Sequence, residues 1–286
     1  MNTIILSLVQ MSMTGDRSEN LARAEQFVRE AAGAGAQVIL LPELFETPYF
    51  PKDPGRDFTH LAAPFKDNET VSRLAELAAE LRVVLPVSFF ERGESGCYNS
   101  LAVIDADGKV MDLYRKSHIP EGAGYNEKDY FLPGDTGFKV WDTRYGRLGV
   151  GVCWDQWFPE AARAMSLMGA EVLLYPTAIG SEPEDPELDT APHWRRVMQG
   201  HAGANLCYVG AANRVGCEAG ETCEIEFYGT SFIAGPFGEI VADAGGAGEG
   251  LVTAELDLER VRKLRSDWSL FRDRRPEFYS SLSLKK

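Results

Sequence analysis

Short continuous apolar runs alternate along this chain with segments whose apolar residues recur at three- and four-residue spacing. Residues 3–9 predict a strand, and residues 18–32 a helix, since Leu21, Ala24, Phe27 and Val28 share one helical face. A strand over 37–41 stops at Pro42-Glu43, and a helix over 70–81 and a strand over 83–89 follow. Residues 98–105 and 109–115 flank the turn pair Asp107-Gly108 and predict a hairpin that carries the chain to Lys116. A further apolar run, 148–152, ends at Cys153; Pro159 then suits the first turn of a helix to Met168, and Gly169 its end. Strands over 171–175, 206–212, 227–234 and 239–242, with a helix over 193–202, complete the pattern, Pro236-Phe237-Gly238 making the last turn. Alternation of this kind predicts an α/β layered fold.

At 286 residues and 44% hydrophobic the chain can bury a large core, and no Pro/Ser-rich linker or charge run divides it. Residues 1–286 therefore read as a single domain, and the basic, aromatic tail 258–286, with Trp268, Phe271, Phe278 and Tyr279, is expected to pack on a neighbouring subunit. The formal net charge of −14 disfavours nucleic acid and anionic membrane as partners and favours a cationic small molecule. Five cysteines at irregular spacing fit neither a disulfide framework nor a zinc pattern, so Cys207, Cys217 and Cys223 read as bland. The first ten residues do not make a secretory signal, and no apolar stretch approaches the roughly 20 residues of a membrane span. A reducing cytoplasm is the expected compartment. His193 and His201 lie on one predicted helix without a Cys, Asp or Glu to complete a metal set, so no metal or cofactor is expected. Asp273 interrupts the Arg272–Arg275 cluster, which reads as a subunit contact.

Candidate chemistry sits where three predicted strands end. Cys153 stands at a strand-to-helix turn, where following N–H groups and a helix N-terminus favour thiolate and can stabilise an oxyanion. Glu43 and Lys116 share its structural address, and the ends of strands in open α/β sheets face a common crevice. A carboxylate beside a thiol takes its proton and returns it to a leaving amine; an ammonium stabilises the oxyanion. The alternative is a structural Glu43–Lys116 ion pair with Cys153 as core filler.

The segments Leu41-Pro42-Glu43-Leu44-Phe45, Tyr114-Arg115-Lys116-Ser117-His118-Ile119-Pro120 and Gly151-Val152-Cys153-Trp154-Asp155-Gln156-Trp157 resemble the three signature regions of the nitrilase superfamily. Gly122-Ala123-Gly124-Tyr125-Asn126-Glu127-Lys128, Pro176-Thr177-Ala178-Ile179-Gly180-Ser181-Glu182-Pro183, residues 197–205 and Phe271-Arg272-Asp273-Arg274-Arg275-Pro276 are similar to its branch acting on N-carbamoylputrescine. The resemblance implies a four-layer α-β-β-α sandwich that pairs into dimers within a homo-oligomer. It also implies Cys153 as nucleophile, Glu43 as general base and acid, and Lys116 with the Trp154 N–H at the oxyanion. The superfamily's second glutamate matches Glu127, with Glu121 nearby as the alternative. For the ammonium of a putrescine arm, carboxylates and aromatic faces are needed: Glu182 first, then Tyr125, Tyr49, Tyr130, Trp154 and Glu121, with Ala178 lining the site. Glu182 also belongs to an acidic run with Glu184, Asp185, Glu187 and Asp189, the usual mark of a solvated loop. The same triad would serve another carbamoyl amine such as N-carbamoyl-β-alanine, an ω-amide or a nitrile, and a non-catalytic binding or assembly module would be expected to lack a triad member.

Overall fold

Alternate residues along the central strands enter different apolar layers, and that alternation builds the architecture. The computed structural model describes residues 3–246 and 248–284. Strand β1 (Thr3–Gln10) pairs antiparallel with β14 (Gly250–Asp257) and parallel with β2 (Val38–Leu40). Strands β3 (Leu85–Arg92), β4 (Cys97–Ile104) and β5 (Val110–Arg115) form an antiparallel meander. A parallel bridge between Val38 and Val84, with the Val84 N–H donating to the Gln37 carbonyl, joins these two sets into one continuous layer. The second layer has the order β13-β12-β9-β8-β7-β6, comprising β6 (Val140–Thr143), β7 (Gly146–Val150), β8 (Val172–Thr177), β9 (Tyr208–Asn213), β12 (Phe232–Ala234) and β13 (Ile240–Asp243). Strands β10 (Val215–Ala219) and β11 (Glu224–Tyr228) make a separate hairpin.

Between the sheets lie Leu6 and Leu8 of β1, Val38 and Leu40 of β2, Val150 of β7, and Val172 and Leu174 of β8. The intervening Ile39 instead meets helices α1 (Arg17–Gly33) and α2 (Glu69–Leu81) through Leu21, Val28, Leu74 and Leu77. Leu173 and Tyr175, next to Leu174, meet α3 (Pro159–Leu167) and α4 (Ala191–Asn205) through Met165, Trp194 and Met198. Three apolar layers separate four structural ones, so the fold is an α-β-β-α sandwich. The helices begin where capping chemistry allows: Asp16 accepts from the N–H groups of Ser18 and Glu19, Asn68 from that of Val71, and Pro159 occupies the first turn of α3.

Three departures from the sequence pattern have local causes. Residues 227–234 are not one strand, because Gly229 and Thr230 adopt φ of 58° and 51° and separate β11 from β12. Strand β14 pairs along the whole of β1, yet Thr253 and Glu255 dilute its alternation. The stretch beyond residue 258 begins inside its own subunit, since Leu258 and Val261 of helix α5 (Leu258–Trp268) are buried in the core between the sheets. Among the described residues no helix is long and apolar enough to cross a membrane.

Leu174 is fully buried in the sandwich, so Leu174→Ala is expected to lower unfolding free energy by about 2–5 kcal/mol in urea titration. A loss below about 1 kcal/mol would contradict the close packing of the two sheets.

Candidate active site

Three strand ends converge as the sequence predicts. Glu43 lies just past β2, Lys116 directly after β5, and Cys153 three residues past β7. Glu43 and Lys116 have no exposed surface, and Cys153 is 6% exposed. The Lys116 Nζ donates to Glu43 Oε1 at 2.8 Å and to both oxygens of Glu127, at 2.8 and 2.7 Å. Glu127, also fully buried, therefore occupies the fourth position. Glu121 does not: it is exposed on the rim and paired with Lys128 at 2.7 Å.

Each carboxylate has its own further donor. Asn99 on β4 gives its side-chain N–H to Glu43 Oε1 at 2.7 Å, while its carbonyl accepts the Lys116 N–H at 2.8 Å, so one residue registers two triad members. The Tyr49 hydroxyl donates to Glu127 Oε1 at 2.6 Å. Glu43 Oε2 is buried with no hydrogen-bond partner. An unpartnered carboxylate oxygen in a buried site is the atom free to exchange a proton.

The nucleophile turn is strained and held from one side. Cys153 adopts φ of 40°, a left-handed conformation that costs a non-glycine residue roughly 1–3 kcal/mol. Asp155, fully buried, accepts from the Val152 N–H at 2.9 Å and the Tyr114 hydroxyl at 2.8 Å. Its other oxygen accepts from the His118 N–H at 3.1 Å and lies 2.7 Å from the His118 Nδ1, tying the turn to the segment after Lys116. Residues 153–157 form a short 3-10 helix, so α3 starts only at Pro159 and its macrodipole does not end on the thiol.

That separation matters for protonation. Burial, then the negative charge of Glu43, pushes the Cys153 thiol well above its ordinary value, and Lys116 opposes only in part. The interior thus opposes the preference for thiolate that the turn alone would give, and the Sγ is directed at the Ala178 carbonyl 3.8 Å away. Burial also works against a charged Lys116, but Glu127 and Glu43 outweigh it and raise the ammonium above the usual lysine value. Burial pushes Glu127 up to about 7, with Lys116 pulling it down and Glu43 pushing it further up. Tyr49, buried against Glu127, is raised well above 10 and stays a donor.

A cavity of about 380 Å³ opens onto Cys153, within the range of about 300–1,000 Å³ usual for small-molecule sites. Tyr49, Tyr125, Trp154, Ala178, Glu121 and Glu182 all line it. Tyr130 does not: its hydroxyl is bonded to the Asp53 carbonyl and its ring packs on Phe50 and Phe58. Glu182 is half-buried, its carboxyl raised by burial and partly restored by the Thr190 hydroxyl. Trp157, Glu184 and His193 also line the wall, with the His193 and Trp157 rings 4.9 Å apart. The sequence reading assigned these three no part in the site; only their neighbourhood to Cys153 and Glu182 signalled them. No lysine or arginine lines this cavity among the described residues. None of the described His, Cys, Asp and Glu residues forms a cluster of three able to hold a metal. His201 instead bonds the Gln156 carbonyl at 2.7 Å.

The carbon-nitrogen hydrolase family profile matches residues 5–266. The chain belongs to the carbon-nitrogen hydrolase family. This hydrolase is 55% identical to the N-carbamoylputrescine amidase of Arabidopsis thaliana over 98% of its own length and 95% of that protein's. It is 50% identical to the citrullinase of Francisella tularensis over 99% of both chains. Among solved structures, a carbon-nitrogen hydrolase from Helicobacter pylori superposes with a TM-score of 0.93 at 37% identity, over 99% of each chain. The nitrilase-type sandwich expected from the signature segments is thereby established.

A carboxyl raised on folding destabilises the fold as pH rises. Glu127 binds its proton more tightly when folded than its ordinary 4.5, so its cost is absent below pH 4.5 and complete by about pH 7. Glu127→Gln should therefore narrow the fall in urea midpoint between pH 4.5 and pH 7. An equal or wider fall in the variant would contradict the assignment.

Proposed function

We propose that this hydrolase cleaves N-carbamoylputrescine to putrescine, carbon dioxide and ammonia through a carbamoyl thioester on Cys153. The observation that carries the reading is the wall of the cavity: the Cys153 thiol and Glu127 at one end, and beyond them the carboxylates Glu182 and Glu184, and Glu121 paired with Lys128, with no lysine or arginine in the lining among the described residues. Such a wall suits a ureido group joined to an ammonium-tipped arm. The names carried by the plant relatives point the same way.

In this cycle Sγ attacks the ureido carbon while Glu43 Oε2 takes the thiol proton. The resulting oxyanion is stabilised by the Lys116 ammonium and the N–H of Trp154, which precedes the first bond of the 3-10 helix, from the Asp155 N–H to Val152. Glu43 returns the proton to the terminal nitrogen, ammonia departs, and the alkylcarbamoyl thioester remains. Water then gives its proton to Glu43 and attacks the thioester; the thiol is restored, and the released carbamic acid loses carbon dioxide to leave the amine. Glu127 keeps Lys116 placed and, near neutrality, carries part of the proton load of the pair. Trp154, 39% exposed, offers its ring at the cavity wall, and Glu182 is the group we assign to the distal ammonium. Citrulline carries a carboxylate beside its ammonium at that end, and the acidic wall disfavours the carboxylate.

The same reading includes a homo-oligomer built from dimers, with no nucleic acid or membrane partner. Its support is the exposed apolar side chains Phe237, Trp268, Leu270, Phe278, Leu282 and Leu284, which lie on or beside the 258–286 tail. All five cysteines are free, the usage expected of a reducing cytoplasm.

Ammonia release from N-carbamoylputrescine, citrulline, N-carbamoyl-β-alanine and glutamine by the purified protein tests the proposal, with Cys153→Ala as the blank. N-carbamoylputrescine should give the highest kcat/KM, and Glu182→Gln should raise its KM about tenfold, as expected for one charge-assisted hydrogen bond, with kcat nearly unchanged. Preference for any of the other three substrates, each of which carries a carboxylate, or an unaltered KM in the variant, would overturn it.

A further inference from the structure

Arg214 has no exposed surface and does not touch the cavity, yet its guanidinium lies directly behind it. Its Nη2 donates to the carbonyls of Glu43 and Leu44, both at 2.9 Å. Its Nη1 donates to Glu218 Oε1 at 2.7 Å, and both amino groups reach the Thr47 carbonyl at 3.3 Å. The segment it holds carries no strand or helix of its own, and Leu44 adopts φ of 47° directly after the triad glutamate. Buried carbonyls in such a segment need donors, and only a forked cation on one side meets three of them at once.

The other half of the contact reaches the second carboxylate. Glu218 Oε2 accepts the Tyr49 N–H at 2.6 Å, Lys52 Nζ donates to the Tyr49 carbonyl at 3.2 Å, and the guanidinium sits 5.7 Å from the Tyr49 ring centre. The hydroxyl of that tyrosine is the donor to Glu127. Asn213, the preceding residue, grips the opposite wall through the N–H and carbonyl of Ile179, next to the Ala178 carbonyl that meets the thiol.

We propose that Arg214 is a positioning residue for hydrolysis: it fixes the peptide that presents Glu43 and, through Glu218 and Tyr49, the phenol that aligns Glu127. The inference rests on the triad roles proposed above but not on the identity of the substrate. A shift of the carboxylates by about 1 Å is enough to lower turnover by on the order of 100-fold.

The test measures Arg214→Lys, Glu218→Gln, Tyr49→Phe and the Arg214→Lys/Tyr49→Phe double variant, each for kcat and KM with N-carbamoylputrescine. In parallel, the rate of Cys153 alkylation by iodoacetamide is followed across pH, a readout that needs no substrate assignment. Arg214→Lys should lower kcat about 10- to 100-fold, with KM within about threefold, and slow alkylation at neutral pH by a similar factor in protein whose melting transition is intact. Glu218→Gln should do the same more weakly, and it carries the test if the lysine variant does not fold. The double variant should lose less than the product of the two single losses, because both act on Glu127 through one tyrosine. Wild-type kcat and alkylation in folded variants, losses that merely track the unfolded fraction, or singles that multiply would each overturn the proposal.

Discussion

One ammonium shared by two buried carboxylates organises the centre of this protein. Lys116 is fully buried, and its three donor bonds go to Glu43 and Glu127. Desolvating three ionisable groups is costly unless they are paired and hydrogen-bonded. Asn99 and Tyr49 supply the additional donors, and the surplus negative charge is relieved by raising Glu127 toward neutrality. The same arrangement determines how the thiol behaves. At Cys153 burial and the negative charge of Glu43 push the thiol up, and the Lys116 ammonium opposes them only in part. In the proposed cycle activation comes from proton transfer during attack, and Glu43 Oε2, which has no hydrogen-bond partner, is the oxygen assigned to it.

The fold supplies the rigidity that such a centre requires. Two sheets packed face to face bring β2 and β5 from one layer and β7 from the other to a common edge. Left-handed backbone at Cys153 and Leu44 places strain at the proposed nucleophile and next to the proposed base, Glu43. Each is held from behind by a fully buried charged residue, Asp155 on the first and Arg214 on the second. Strain at functional positions persists only where the surroundings over-determine it, and here two separate hydrogen-bond networks do so.

Glu43, Lys116 and Cys153 are legible in the sequence because each closely follows a predicted strand, a pattern visible without any knowledge of pairing. The layered α/β class is legible for the same reason. Other features depend on contacts between distant segments. Asn99 sits within a strand pattern and gains its role only when β4 lies beside Glu43, in the segment that follows β2. Tyr130 and Tyr49 look equivalent as aromatic residues flanking the motifs, but one faces a phenylalanine cluster and the other Glu127, the partner of Lys116. Glu121 and Glu127 are six positions apart in one loop, and only the fold of that loop buries the second and exposes the first. The raised thiol, too, is a property of the assembled pocket: a strand-to-helix turn favours thiolate in isolation, while burial, and then the charge of Glu43, push the other way.

The most direct measurement is the ultraviolet thiolate absorbance of the substrate-free protein, taken as the difference between wild type and Cys153→Ala and titrated from neutral to alkaline pH. The account predicts no thiolate signal at Cys153 at neutrality, with absorbance rising only well above pH 9. A full thiolate signal at pH 7 would contradict it, because the lysine would then be stabilising the sulfur rather than being spent on the two glutamates.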